Sequence, residues 1–310
     1  MDDLDARVRL KAFSFLEELS SRYGLALPRE LLWKGFDFEG RRVPLLSPQG
    51  IFKPAILPEV PLSITTVPVV EGKKRPYDDQ IGPDGLIRYK YRGTDPMHRD
   101  NVGLRLAMQR RTPLIYFYGL VPGRYAAIWP VRIVGEDQRD LSFSVEVEDK
   151  QDIIIGDDVL LSEAVAQPES AARAYITVAT QKRLHQHSFR MRVLEAYREC
   201  CAVCRLRHAE LLEAAHIIPD TDPRGEPWVS NGIALCKLHH AAFDSLMMGI
   251  RPDLVIEIRK DILEESDGPL LIHGLKHWHN KRLTVVPQSP RLRPRKEFLE
   301  ERFEIFRKAS

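Results

Sequence analysis

The sequence predicts an α+β protein in two parts, a strand-rich first half and a helical second half folded round a metal-binding clamp. Three observations lead there. From about residue 38 the chain reads as short apolar runs broken by Pro and Gly, such as VPLLSPQGIFKP and LPEVPLSITT, the pattern of strands and turns. Near residue 150 the composition shifts: residues 151–170 hold five acids and no Lys or Arg, and a long stretch of helical period follows. Beyond it lie two pairs of metal-ligand type, Cys201-x2-Cys204 and Cys236-x2-His239.

In chain order, residues 3–23 place Val8, Phe13, Phe15, Leu16 and Leu19 near helical spacing, with Gly24 as the stop. Pro28-Arg29-Glu30 opens a second short helix. The stretch RPYDDQIGPDGLIRYKYRG gives a loop, a Gly-Pro-Asp-Gly turn and a strand with Ile87, Tyr89 and Tyr91 on one face. DPMHRDNVGLRLAMQRR passes from a surface loop holding His98 into a short helix. LIYFYGLVPGRYAAIWPVRIVG makes two strands around a Val-Pro-Gly turn, and LSFSVEVED makes another. So many strands with so few helices suit a compact curved sheet or barrel. AARAYITVATQKRLHQHSFRMRVLEAYRECC reads as a helical connector, basic from Lys182 to Arg192. Near the end, IRPDLVIEI reads as a strand and HGLKHWH as a strand edge or phosphate-contact loop. RPRKEFLEERFEIFRKAS is expected to be a helix with Phe298, Phe303 and Phe306 turned to the core.

At 310 residues the chain is long enough for two domains. Hydrophobic content of 44% and charged content of 29% describe an ordinary globular chain. There is no run of eighteen apolar residues and the N-terminus is charged, so neither a membrane span nor a signal peptide is expected. Four cysteines, three of them in the clamp, make no disulfide framework and suit a reducing cytoplasm. The net charge of +2 is unevenly spread. Residues 1–170 carry 23 Lys and Arg against 26 Asp and Glu, and residues 171–310 carry 23 against 18. The basic excess lies with the clamp, as contact with phosphates would require.

Each x2 spacing lets a tight turn aim two side chains at one ion, so Cys201, Cys204, Cys236 and His239 suit a closed tetrahedral Zn2+ site. Cys200 and His240 stand next to two of these residues and are alternative ligands. Three residues have no obvious place in the zinc shell: His216 in AHIIP, Asn231 in SNGIALC and His240 in CKLHH. Neighbours on a helix point about 100° apart, so His239 can face the zinc while His240 faces a second site. A neutral imidazole can take a proton from water near pH 7.

In order and spacing, His216, Asn231 and His240, framed by the four cysteine and histidine ligands, resemble the HNH nuclease motif of the ββα-metal fold. The resemblance implies hydrolysis of DNA phosphodiesters, with His216 as general base and His240 holding a catalytic Mg2+ or Mn2+. Asn231 would orient His216 or its loop, or take a position on that metal. At residue 215, where many HNH enzymes carry an acidic metal ligand, this sequence has Ala215.

The segment PYDDQIGPDGLIRYKYRG resembles the SRA (SET- and RING-associated) domain, a PUA-type β-barrel that binds DNA carrying a modified cytosine. By that resemblance Tyr77 and one of Tyr89 or Tyr91 would sandwich a flipped base, and Asp79 would accept from its exocyclic amine. Arg92 stands where the family has a small polar residue, and the spacing from Asp79 to the second tyrosine is one residue longer. The two resemblances, reader before cutter, are together similar to the SRA–HNH class of modification-dependent restriction endonucleases. They imply an SRA-like domain over residues 1–170, a helical connector over 171–185 and an HNH endonuclease domain over 186–310. The expected partner is double-stranded DNA carrying 5-methyl- or 5-hydroxymethylcytosine, met by a homodimer, because one HNH site cuts one strand. Two alternatives keep the same residues. In one the protein is a silent reader on a zinc scaffold; in the other the nuclease answers to a different ligand of the first domain.

Overall fold

Val8, Ala12, Leu16 and Leu19 recur at helical spacing, and they bury one face of α1 (Asp3–Tyr23) in the computed structural model. The structure describes residues 3–70, 80–147, 169–266 and 268–309. α1 ends at Gly24, whose φ of +62° is the left-handed turn expected of a helix stop. The buried face also carries a charge. Arg9 is 1% exposed, bonded to Asp5 Oδ1 at 2.5 Å one turn earlier, and it donates to the Pro113 carbonyl at 2.9 Å. Burial pulls the Arg9 guanidinium below its ordinary value, and Asp5 pulls it back.

The chain divides into two units, residues 1–184 and 185–310. In the first, α1 is followed by β1 (Leu27–Pro28), α2 (Arg29–Lys34), which starts after Pro28, and the hairpin β2 (Phe36–Phe38) and β3 (Arg41–Val43). A mixed eight-stranded sheet, curled as a half-barrel, follows. It is built from β4 (Ile51–Phe52), β5 (Ser63–Thr66), β6 (Gln80–Ile81), β7 (Ile87–Lys90), β8 (Leu114–Val121), β9 (Arg124–Asp137) and β10 (Ser142–Val147), with β1 paired to β9. The order is β4-β5-β8-β9-β10-β7-β6, and among the described strands only β5 and β8 run parallel. Among the described residues this path does not pair back on itself. All eight residues of β8 are buried, which is why LIYFYGLV is apolar throughout rather than alternating. α3 (Arg99–Arg110) packs on β9. His98 is its N-cap, Nδ1 accepting from the Asp100 amide at 3.2 Å, so the histidine expected in a surface loop starts a helix.

The helix α4 (Glu169–Ala196) runs through the division between the units. Two of its arginines serve the backbone of the second unit: Arg190 donates to the carbonyls of Leu212 and Ala209, and Arg192 to that of Pro227. The hairpin β11 (Leu212–His216) and β12 (Gly232–Cys236) leads straight into α5 (Lys237–Asp244). IRPDLVIEI, expected as one strand, is instead a second hairpin, β13 (Met248–Ile250) with β14 (Ile256–Ile258), because Leu254 at φ +67° turns the chain. α6 (Lys260–Glu264) and α7 (Pro269–Gly274) follow. HGLKHWH, expected as a strand edge or a phosphate-contact loop, is no strand: it ends α7 and forms a 3-10 turn, with His279 Nδ1 accepting from the Ile258 amide. α8 (Lys296–Lys308) closes the chain, burying Leu299 and Phe306, while Phe298 is only partly buried against the core. No helix among the described residues is long and apolar enough to cross a membrane.

Breaking a buried ion pair from one side strands a charge, at about 3–5 kcal/mol. Arg9→Ala is therefore expected to lower the stability of the first unit by that amount in urea unfolding followed by tryptophan fluorescence. Arg9→Met combined with Asp5→Leu, which removes both charges, should cost less than half as much.

Candidate active site and metal centre

The first knuckle is a tight turn after α4. The Cys201 amide donates to the Leu206 carbonyl, the Arg205 amide to the Cys201 carbonyl, and Arg205 takes a φ of +63°. The Ala202 amide donates to Ala234 of β12 at 2.7 Å, which draws this turn to the strand that ends in Cys236. Cys236 is the N-cap of α5, and His239 lies one turn further on. The ligand atoms of Cys201, Cys204, Cys236 and His239 consequently all lie within 4.8 Å of one another.

Two thiolates on a tetrahedral zinc with Zn–S of about 2.3 Å stand about 3.8 Å apart, and a thiolate and an imidazole nitrogen stand about 3.5 Å apart. Here Cys204 Sγ and Cys236 Sγ are 3.9 Å apart, and His239 Nδ1 is 3.5 Å from Cys201 Sγ and 3.1 Å from Cys236 Sγ. His239 Nε2 faces the Gly274 carbonyl at 2.8 Å. That contact places the ring proton on Nε2 and leaves the Nδ1 lone pair for a metal. The cluster also competes for protons. Hydrogen bonds with Cys204 and Cys236 push the Cys201 thiol up, and bonds with Cys201 and Cys204 hold Cys236 far down. A divalent cation ends such competition by displacing protons. Donor set and spacing therefore fit a tetrahedral metal. Cys200 is buried away from the cluster, its Sγ against the Arg198 carbonyl.

The second constellation lies along the same hairpin. His216 ends β11 opposite Gly232, and its ring stacks on Phe189 of α4 at 4.1 Å and 21°. A Cβ at Gly232 would stand 2.8 Å from that Phe189 ring and 2.5 Å from Val193, so glycine is what lets the helix approach. Burial pulls the His216 imidazole below its usual range, against Asp220 and Asp244, so the ring is neutral near pH 7. Asn231 is fully buried. Its Oδ1 accepts from the Ile218 amide at 2.9 Å, and its Nδ2 donates to the carbonyls of Ile218 and Glu226 at 3.0 and 3.2 Å. Of the roles considered for Asn231, this geometry fits the fastening of the loop after His216 rather than a place on a metal.

His240 points away from the thiol cluster, as the 100° step between helix neighbours requires. Its Nδ1 is 2.5 Å from Glu213 Oε2 of β11, and its Nε2 is 3.2 Å from Asp244 Oδ2 one turn along α5. Hydrogen bonding to Asp244, opposed by burial and joined by Glu213, raises the imidazole to about 9. Glu213 and Asp244 were not singled out by sequence reasoning. The only signals were the i, i+4 spacing of Asp244 from His240 and an acid two residues before Ala215.

Of the residues proposed for base recognition, Tyr77 and Asp79 lie outside the described residues. Tyr89 lies in β7 and Tyr91 directly follows that strand, 6% and 1% exposed. The Tyr91 ring stacks on Phe143 at 4.8 Å and its hydroxyl donates to Glu136, which also binds Arg105. The Tyr89 hydroxyl donates to the Thr65 carbonyl at 3.3 Å.

Residues 201–251 match the HNH endonuclease family (HNH_2), so this segment, with its β11-β12-α5 hairpin and helix, is an HNH endonuclease domain. The curated proteins contain no match to the chain. Among solved structures, the chain is similar to the modification-dependent TagI restriction endonuclease at 14% identity and a TM-score of 0.29, over 80% of this chain and 82% of that one. It is also similar to the type IV phosphorothioation-dependent restriction endonuclease ScoMcrA at 15% identity and a TM-score of 0.23, over 69% of this chain and 53% of that one.

Two outcomes follow from this geometry. Metal analysis of the purified protein should find about one zinc per chain, and Cys204→Ala or Cys236→Ala should unfold the second unit, because filling the site supplies folding energy. A folded, protease-resistant and metal-free protein would contradict this. Asn231→Ala leaves the buried Ile218 amide and carbonyl without their Asn231 partner and should cost about 2 kcal/mol in thermal unfolding, with zinc content unchanged.

Proposed function

We propose that this chain is a modification-dependent DNA endonuclease, which reads 5-methyl- or 5-hydroxymethylcytosine through its first domain and hydrolyses phosphodiesters at His216. The observation that carries the reading is the placement of His216 and His240 on the β11-β12-α5 hairpin and helix, beside a Cys3His cluster, inside the segment that matches the HNH endonuclease family. His216, neutral and half-buried against Phe189, takes a proton from the attacking water. Phe189 fixes the plane of the ring, and Asn231 fixes the loop that leaves it. His240 is the residue that would hold Mg2+ or Mn2+, and a cation there supplies charge stabilisation at the phosphate and the leaving 3′-oxygen. The Cys3His site takes structural Zn2+ and keeps α5 at the angle that separates the two histidines. A homodimer would bring one such site to each DNA strand.

For the first domain, support comes from the resemblance of residues 76–93 to the SRA domain, in which Asp79 accepts from a flipped cytosine and Tyr77 stacks on it. The burial of Tyr89 and Tyr91 favours a second reading, in which the nuclease stays and the first domain answers to another ligand.

Digestion of matched unmodified, 5-methylcytosine and 5-hydroxymethylcytosine plasmids with Mg2+ or Mn2+ tests the proposal. Cutting is expected on modified DNA at protein concentrations that leave unmodified DNA intact. His216→Ala should abolish cutting while DNA binding and zinc content persist. Equal cutting of all three plasmids would favour the second reading, and undiminished cutting by His216→Ala would place the active site elsewhere.

A further inference from the structure

Ala215 is fully buried and offers no ligand atom, so the carboxylate of a cation site on this hairpin has to come from another position. We infer that Asp244 is the carboxylate that shares the divalent cation with His240, and that Glu213 is a positioning residue holding the same imidazole from its other nitrogen. The inference rests on the nuclease reading above and adds two residues that the His-Asn-His pattern does not contain.

Distances separate the two roles. Adjacent ligands of an octahedral cation with bonds of about 2.1 Å stand about 3 Å apart. His240 Nε2 and Asp244 Oδ2 are 3.2 Å apart, a hydrogen-bonded pair whose separation is also that of two ligands on one octahedral edge, so a cation can replace the shared proton without movement of either residue. His240 Nδ1 and Glu213 Oε2 are 2.5 Å apart, too close to share a cation and in direct hydrogen-bonding contact. A carboxylate that accepts a hydrogen bond from one ring N–H keeps the proton on that nitrogen and leaves the other nitrogen for a metal. Glu213 therefore fixes the tautomer, and Nε2 becomes the ligand.

Access and surroundings agree. Asp244 ends α5 and is 58% exposed, so the Nε2 side is open to water and to a phosphate. Arg302 stands 3.9 Å from Asp244 Oδ1 and donates to the Phe243 carbonyl, so it steadies the end of α5 and leaves Oδ2 for the cation. Glu213 makes up for Ala215 by strand geometry: positions two apart share a face, and the longer side chain reaches the helix.

The test uses the full-length, zinc-replete protein titrated with Mn2+ alone, free Mn2+ being followed by its EPR signal and zinc by metal analysis. Asp244→Asn is expected to weaken Mn2+ binding about tenfold or more with zinc content unchanged. Glu213→Ala should weaken it about tenfold, and Glu213→Gln should restore most of the loss, because an amide oxygen still accepts from Nδ1. If Asp244→Asn binds Mn2+ as the wild type does while His240→Ala does not, Asp244 is no ligand and the inference falls, leaving the nuclease reading in place. Equal losses in Glu213→Ala and Glu213→Gln would overturn the positioning role. A wild type without Mn2+ binding, or His240→Ala binding as tightly as wild type, would overturn the cation site itself and the inference with it.

Discussion

The second unit depends on one convergence, four soft donor atoms from two turns more than thirty residues apart meeting within 4.8 Å. Because Cys236 caps α5 and His239 lies one turn inside it, the cluster fixes both where the helix begins and how it is rotated. The rotation decides where the next residue points. His240 then meets Glu213 on the neighbouring strand and Asp244 on its own helix. The Gly274 carbonyl on His239 Nε2 extends the same constraint to α7, so three stretches of chain are held by one imidazole and its thiol partners.

The first unit is held differently. Its core is apolar burial around α1 and the wholly buried β8, and the buried Arg9 is answered locally by the buried Asp5 and by two carbonyls. The second unit instead holds a Cys3His cluster, and a metal filling it would supply folding energy.

Much of this was legible in the chain. The α1 periodicity, the Gly24 stop, the two strands around Val-Pro-Gly and the paired x2 ligands are local signals, and each element forms where its residues indicate. What could not be read was contact between distant positions. Glu213 looks like any strand acid until the pairing of β11 with β12 carries it to His240. The turn at Leu254 has no glycine or asparagine to announce it, and HGLKHWH has the aromatic and charged residues that suit an edge strand as well as a helix end. Alternation placed Tyr89 and Tyr91 on one face of a strand, but only the packed Phe143 and the Glu136–Arg105 pair tell that this face is interior.

The clasp that Asn231 makes on Ile218 has a consequence for how this hairpin can vary. It closes the excursion between the two strands at its base, through both faces of one amide and the Ile217–Asn231 backbone bond. Once an excursion is closed at its root, doubling its length costs only about 0.6 kcal/mol of chain entropy. The position of His216 over Gly232 is thus independent of how much chain is spent in the exposed stretch after Pro219. Residues there can lengthen, shorten or change charge, and so alter what the hairpin meets, while the imidazole stays where Phe189 holds it.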